Sequence, residues 1–275
     1  MNIYIPSSGR HDKQTTLTSL PPVLSNQGLI TVVVPVDEYS IYRDWTGSNI
    51  KIVAPDIPKG IGHARQWCCD QEPIKCLMLD DDLVFATRRG DEPTKFRDAK
   101  DKEIIQALSE MGRALNTYSH VGMATREGGN RMTEPWDYNT RLLRILGYRT
   151  DIMRELGVRF DAIPVMEDFF VSLSLLTAGT QNAKLNWMVQ NQGGSNTEGG
   201  CSQYRTPEVQ AAAAHVLHER FPKFVKVVEK TTKTAWGGGT RTDVTVYWKK
   251  ALASAEQRRQ NLSSGAEEVE GGTYE

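Results

Sequence analysis

Lys75-Cys-Leu-Met-Leu-Asp-Asp-Asp-Leu-Val-Phe85 decides how the rest of this chain is read. An apolar run, Cys76 to Leu79, stops at three adjacent carboxylates, Asp80, Asp81 and Asp82, and apolar residues resume at Leu83. Adjacent like charges at a strand end repel one another unless something cationic holds them. Hard divalent cations take carboxylate oxygens, and Mg²⁺ is usually shared between one or two carboxylates and substrate phosphates. A solvated acidic loop has the same composition. The stretch alone leaves both open.

Upstream, Ile3-Tyr-Ile5 is a short strand that breaks at Pro6 into the polar turn Ser7-Ser8-Gly9-Arg10. Residues 13–20 fit a helix, which Pro21-Pro22 interrupts. Thr31-Val-Val-Val34 is a β-branched run, the mark of a strand buried on both faces. Pro35 ends it, and Asp37 and Glu38 follow. A third strand over 50–54 stops at Pro55, and a helix is expected over 63–71 before the Cys76–Leu79 strand. Strands alternating with helices at short intervals predict an α/β unit with a mainly parallel sheet. In such sheets ligands collect beyond the carboxyl ends of the strands. Ser7 to Arg10, Asp37 with Glu38, and Asp80 to Asp82 all fall at that edge, which favours a metal or nucleotide site over an acidic loop.

Downstream, residues 85–101 are polar and carry both charge signs, so a mobile loop is expected there. Ile104, Ile105, Leu108, Met111 and Leu115 give an amphipathic helix over 102–115. A strand follows over 120–124, then a loop over 126–137 containing Gly128-Gly129, a strand or short helix over 140–148, and a helix over 150–156. A second acidic cluster, Glu167-Asp168, precedes an apolar helix that ends where Gly179 stands as a C′ glycine. Carboxylates here can simply complement the helix dipole. The same placement suits a base held rigidly in its ionised form. After a strand over 184–190, the Gly- and Ser-rich stretch 191–205 is long enough to act as a substrate lid. Helix 207–220 follows, with His215 and His218 on one face, and a strand over 244–248. From Ala253 the chain reads as a disordered polar, acidic tail.

Bulk properties narrow the class. With 275 residues the chain can bury a substantial core, and a formal net charge of −1 argues against coating nucleic acid by bulk charge. The four cysteines lack zinc-site spacing and read as reduced. No signal peptide or membrane-length apolar run is evident, so the expectation is a soluble, cytoplasmic protein with no membrane partner.

Four features in order are a first strand with a polar turn, Gly60-Ile-Gly-His-Ala-Arg65, a strand ending in Leu79-Asp-Asp-Asp82, and Glu167-Asp168 opening a helix closed by Gly179. Together they resemble the nucleotide-sugar glycosyltransferases of the GT-A fold, especially the family-two type, over residues 1–190. Ile3-Tyr-Ile-Pro-Ser-Ser-Gly-Arg10, Gly199-Gly-Cys-Ser-Gln-Tyr-Arg205 and His218-Glu-Arg-Phe-Pro222 are similar to something narrower. They match the phage glycosyltransferases found beside TET/JBP-type dioxygenases, which decorate hydroxymethylpyrimidines in DNA. Ser8 departs from that pattern, standing where a second basic residue is expected.

The resemblance implies a GT-A (Rossmann-like) α/β fold, mainly parallel, flanked by helices, with a C-terminal helical and β extension. It implies one domain over 1–252, with 206–252 on the acceptor side. It also implies a hexosyl- or pentosyltransferase that uses Mn²⁺ or Mg²⁺ and a nucleotide-diphosphate sugar, UDP-type favoured, in the host cytoplasm if phage-encoded. Asp82 is then the first choice for metal ligand. Asp80 contacts the ribose or supports the metal, with Asp81 able to stand in for either. Pro6, Ser7, Ser8, Gly9, Arg10, Asp37 and Arg65 are assigned to the nucleotide sugar, and Arg205 to the diphosphate from the closing loop. His215 or His218 completes the metal shell. Asp168, with Glu167 as rival, is the general base of an inverting transfer.

The acceptor is the least legible part. A basic segment from Arg220 to Lys250 includes Lys230, Lys233 and Arg241, with Trp236 and Trp248 available to stack. It suits DNA carrying a hydroxymethylpyrimidine, flipped out to reach a buried site. A solvated face with snorkelling lysines would look alike. Three other activities are weighed against this one. They are the same chemistry on a glycan or protein, a sugar nucleotidyltransferase (for which Ser7 to Arg10 is a short first loop), and an inactive nucleic-acid-binding module.

Overall fold

The computed structural model describes residues 1–46, 50–128, 132, 134–192, 200, 204–232 and 239–270. Four parallel strands open the sheet: β1 (Ile3–Pro6), β2 (Ile30–Val33), β3 (Lys51–Val53) and β4 (Lys75–Leu79). The others are β5 (Leu83–Arg88), β6 (Phe96–Asp98), β7 (His120–Thr125), β8 (Trp136–Tyr138), β9 (Ile145–Arg149) and β10 (Asn182–Gln192). Their order is β3-β2-β1-β4-β9-β7-β10-β5-β6, with β8 against β10. β9 runs against β4 and β7, β10 runs with β7, and β5 and β8 run against β10. β6 runs against β5, so seven of the ten strands point one way. The sheet is thus mixed in pairing but mainly parallel in direction, with helices on both faces.

One face carries α1 (Thr15–Ser19), α2 (Pro22–Asn26) and α5 (Asp101–Ala114) over Ile5, Val32, Leu77, Leu79 and Val121. The other carries α4 (Ile61–Gln71), α6 (Thr150–Glu155) and α7 (Glu167–Thr177) over Tyr4, Met78, Leu146 and Tyr148. Helix α3 (Tyr39–Thr46) leads to the edge strand β3. α7 ends as its sequence predicts. Gly179, at φ 83°, donates to Leu176 O, and Thr180 donates to Leu175 O, closing a Schellman turn. The far side of α7 is covered by α8 (Pro207–Arg220), the ribbon β11 (Val225–Thr232) with β12 (Gly239–Val246), and α9 (Trp248–Glu270).

Two expectations are corrected. Residues 85–101 are not a loop. β5 and β6 form an edge hairpin in which Leu83 and Phe85 enter the core while Arg88, Arg89 and Lys95 keep the outer side charged. Charges of that kind protect a sheet edge, and they disguise its alternation in the sequence. The stretch from Ala253 is likewise helix rather than disordered tail as far as Glu270. Ala251, Leu252 and Ala255 are buried, and Arg258 and Arg259 donate to Thr177 O and Ala178 O at the end of α7. Basic side chains on terminal carbonyls are a favourable helix ending. No helix among the described residues is long and apolar enough to cross a membrane.

Buried under α7, His120 stacks on Tyr148 with ring centroids 4.0 Å apart, and Ser172 Oγ lies 3.3 Å from its Nδ1. Burial lowers the His120 pKa from 6.5 to about 3. An unfolded histidine binds its proton near pH 6.5, so below that pH the unfolded chain holds the extra proton. This contribution to stability is therefore full above pH 6.5 and is lost as the pH falls toward 3. It should cost roughly 2 kcal/mol between pH 7.5 and pH 5. Urea unfolding at the two pH values should show that loss, and His120→Asn should flatten the pH dependence.

Candidate active site

Each member of the aspartate triplet leaves β4 with a different environment. Asp81 turns inward, 4% exposed, where its carboxylate accepts from Ser7 Oγ and, at 2.8 Å, from Arg10 Nη1. Ser7 is itself held by Gln14 Nε2 at 2.7 Å and Tyr42 OH at 2.8 Å. Asp81 therefore braces the first turn from below. Thr16 fixes the triplet's backbone: its N donates to Asp81 O, its Oγ1 donates to Asp80 O at 2.6 Å, and Leu83 N donates to that Oγ1.

Asp80 and Asp82, two residues apart, are the outward pair. Asp80 Oδ1 accepts from Arg65 Nη2 at 2.6 Å, and Asp82 Oδ2 from Arg10 Nη1 at 3.0 Å. Burial pushes all three carboxyls above their ordinary range, opposed by Arg65 at Asp80 and by Arg10 at Asp81 and Asp82. Asp82 Oδ1 is buried and has no hydrogen-bond partner among the described residues. A buried carboxylate oxygen without a proton donor is what a hard divalent cation requires, so the residues present fit one. No three His, Cys, Asp or Glu side chains among the described residues converge on a common point. A site of this kind rests on one or two carboxylates, with substrate phosphates supplying further oxygens.

The second acidic cluster is tied to the first through one guanidinium. Arg65, 6% exposed, contacts Asp80 through Nη2 and Glu167 Oε1 through Nη1. It projects from α4, whose Gly62 lies so close to the Phe160–Ala162 turn that a Cβ there would meet Phe160 O at 2.8 Å. Glu167, 5% exposed, is pushed up by burial and held down by Arg65, and Arg205 also lies near enough to favour its charged form. Asp168, the next residue, is half-buried and accepts no hydrogen bond among the described residues. The preceding Met166 holds a left-handed conformation, φ 62°. That is costly for a non-glycine residue and recurs where an active site is shaped. Replacing Glu167 with alanine leaves Arg65 buried with one partner fewer and should cost roughly 3–5 kcal/mol, readable as a lower urea midpoint.

The first turn takes a further contact from the Val36–Glu38 turn that follows β2. Pro6 ends β1, Ser8 Oγ donates to Glu38 Oε1 at 2.8 Å, and Gly9 N donates to Glu38 Oε2 at 2.6 Å. Gly9 adopts φ 67°, a conformation that glycine takes freely. Glu38, rather than Asp37, faces this turn; Asp37 is exposed and paired with Lys59. Of the stretch expected as a lid, residues 193–199 and 201–203 lie outside the described residues. Its described part reaches the site: Gly200 N donates to Ser8 O, Tyr204 OH accepts from Ile61 N, and Arg205 Nε donates to Gln210 Oε1 at 2.9 Å.

His215 and His218 are not brought to the aspartates. α8 buries Ala213, Ala214 and Leu217, leaving both histidines exposed, and His218 Nδ1 bonds to Val225 O at 2.8 Å. Among the proposed nucleic-acid contacts, Lys230 and Arg241 share the Asp243 carboxylate, at 3.2 and 3.0 Å. Lys233 and Trp236 lie outside the described residues. Thr16, Gln14 and Tyr42 were missed from sequence. Their roles come from strand pairing and from contacts across tens of residues, which leave no local pattern.

Comparison with known proteins adds the following. A family model described as TET-Associated Glycosyltransferase matches residues 1–200. A search of curated proteins finds no match. Among solved structures, the chain is similar to GalNAc-T7 with UDP, GalNAc and Mn²⁺, at a TM-score of 0.43 and 10% identity. That likeness covers 74% of this chain and 46% of that chain, so the chain spans less than half its length. It is also similar to CMP:2-keto-3-deoxy-manno-octonic acid synthetase complexed with CTP, at a TM-score of 0.38 and 14% identity, covering 67% of this chain and 88% of that chain.

Proposed function

The chain belongs to the TET-associated glycosyltransferase family, and on that premise we propose that it moves a sugar from a nucleotide-diphosphate sugar to a hydroxymethylpyrimidine in phage DNA. The observation that carries the reading is the Arg65 bridge. One guanidinium spans Asp80 at the end of β4 and Glu167 at the start of α7, bringing the two acidic clusters into one site. The nucleoside lies over the turn Ser7 to Arg10, with Asp80 toward the ribose.

Asp82, with Asp80 beside it, would hold Mn²⁺ or Mg²⁺, which when bound supplies positive charge against the departing diphosphate. Asp168 accepts the proton of the acceptor hydroxyl. As it does so, that oxygen bonds to the anomeric carbon, and the carbon–oxygen bond to the diphosphate breaks with its electron pair on the leaving group. Attack opposite the leaving group inverts the anomeric centre. Asp168 is assigned this role over Glu167 because Glu167 is committed to Arg65, whereas Asp168 has an acceptor oxygen to spare and is held in the first turn of α7.

Lys230 and Arg241 lie opposite each other on one face of the β11–β12 ribbon and are assigned to the DNA backbone. A second reading keeps the chemistry and changes the acceptor to a glycan or protein; it is favoured by Asp243, whose one carboxylate pairs with both cations and offsets part of their charge. Nucleoside diphosphate release separates the two. A panel of nucleotide sugars with Mn²⁺ should give release that rises on adding hydroxymethylated duplex and not on adding unmodified duplex of the same sequence. Release driven equally by both duplexes, or only by a glycan or peptide, would remove the DNA acceptor.

A further inference from the structure

Next to β4 at the carboxyl edge of the sheet stands β9, and the residue just ahead of it is Arg144. Asp80 N donates to Arg144 O at 2.9 Å, and Ile145 N donates to Leu143 O across a tight turn centred on Arg144, which has φ 68°. A positive φ is strained for a long side chain, and strain of this kind persists only where the surroundings impose it. The turn sets a half-buried guanidinium beside the aspartates without letting it touch them. Among the described residues the Arg144 side chain makes no ion pair, and its one hydrogen bond is a long one, 3.3 Å, to Gln190 Oε1. A guanidinium carries five N–H donors.

Gln190 is fully buried in β10, between Thr125 of β7 and Phe85 of β5. Arginine offers donors alone, so the amide oxygen must face it and Nε2 must face away. That Nε2 is buried with no partner among the described residues. The nearby charges are Asp80, Glu127 and Asp82, which favour the cation, and Arg141, which opposes it. Burial nonetheless depresses the Arg144 pKa below its ordinary value. Under-used donors on a half-buried cation, placed beside carboxylates it does not touch, leave it open to an acceptor from outside the chain.

The order of the strands says which acceptor. Along the edge run β2 and β1, then β4 with its aspartates, then β9 with Arg144. A nucleotide whose nucleoside lies over β1 and β2 reaches the aspartates with its phosphates and extends next over β9. We infer that Arg144, steered by Gln190, grips the distal phosphate of the sugar donor and stabilises it as it leaves with the nucleotide. The inference rests on the donor reading given above and adds the residue pair that distinguishes a diphosphate from a monophosphate.

Titration calorimetry with UDP and with UMP, each in Mn²⁺, tests it. Arg144→Ala should weaken UDP binding roughly 10- to 100-fold, the worth of charge-assisted hydrogen bonds, and leave UMP binding within about twofold. Gln190→Leu should weaken UDP selectively and by less, and Arg144→Lys should recover part of the loss. Equal losses for UDP and UMP would mark a general disturbance of the site and overturn the assignment. Unchanged UDP affinity with a raised KM for DNA would assign Arg144 to the acceptor instead and overturn it as well. Failure of the unsubstituted protein to bind UDP or any other nucleoside diphosphate would sink the donor reading itself, an outcome separate from these two.

Discussion

Replacing Asp82 with alanine is expected to abolish Mn²⁺-dependent binding of the nucleoside diphosphate and to lower turnover by about 10³-fold or more, the scale of a lost Lewis acid. The expectation follows from the uneven use of its two oxygens. Oδ2 accepts from Arg10, while Oδ1 is buried and has no donor among the described residues. Asp81 cannot take over, because both of its oxygens are already engaged by Ser7 and Arg10. Asp80 remains, but its Oδ1 is committed to Arg65. Calorimetry with and without Mn²⁺ reads the effect. A variant whose UDP affinity still rises with Mn²⁺ would remove Asp82 from the metal site. Asp82→Asn should behave like the alanine variant, since the amide keeps the shape and loses the charge.

Asp168→Asn should have the opposite profile. Its side chain makes no hydrogen bond among the described residues, so the amide leaves the fold and the nucleotide contacts intact. Donor affinity should stay within about twofold, while kcat falls roughly 10²- to 10⁴-fold, the usual worth of a general base. Weakened donor binding in this variant would place Asp168 among the binding groups. The two substitutions form a crossed pair, one removing metal-dependent binding and the other turnover alone. Neither should lose as much stability as Glu167→Ala: Asp168 makes no ion pair among the described residues, and the Arg10 that Asp82→Ala releases keeps Asp81, whereas Glu167 is half of the more deeply buried pair with Arg65.

What the sequence made legible was local. An apolar run ending in three carboxylates marks a strand end whatever it pairs with, and Glu167-Asp168 ahead of an apolar helix closed by Gly179 is a helix with both ends signed. The different fates of Asp80, Asp81 and Asp82 were not legible. They depend on Ser7, Arg10 and Arg65, which reach the triplet only after β1 and β4 pair and α4 packs beneath them. Arg144 was hidden for the same reason: nothing in Leu142-Leu-Arg-Ile145 says that β9 will lie against β4. His215 and His218 misled because their spacing does place them on one face, but α8 buries its alanines and Leu217 instead. The charged hairpin β5–β6 and helix α9 were misread where small or alternating apolar residues sit among many charges. Ala251, Leu252 and Ala255 bury well but contribute little apolar signal.

The claim at the centre is that one site joins a metal-held diphosphate to a base-activated hydroxyl on DNA. The most direct measurement is the mass of the nucleosides recovered after the protein is incubated with Mn²⁺, a panel of nucleotide sugars and duplexes carrying hydroxymethylcytosine, hydroxymethyluracil or neither. The account predicts that one hydroxymethylpyrimidine gains the mass of one glycosyl residue, that the gain requires Mn²⁺, and that both Asp82→Ala and Asp168→Asn abolish it. A panel in which no nucleoside gains mass, while a glycan or protein acceptor is glycosylated under the same conditions, would contradict it.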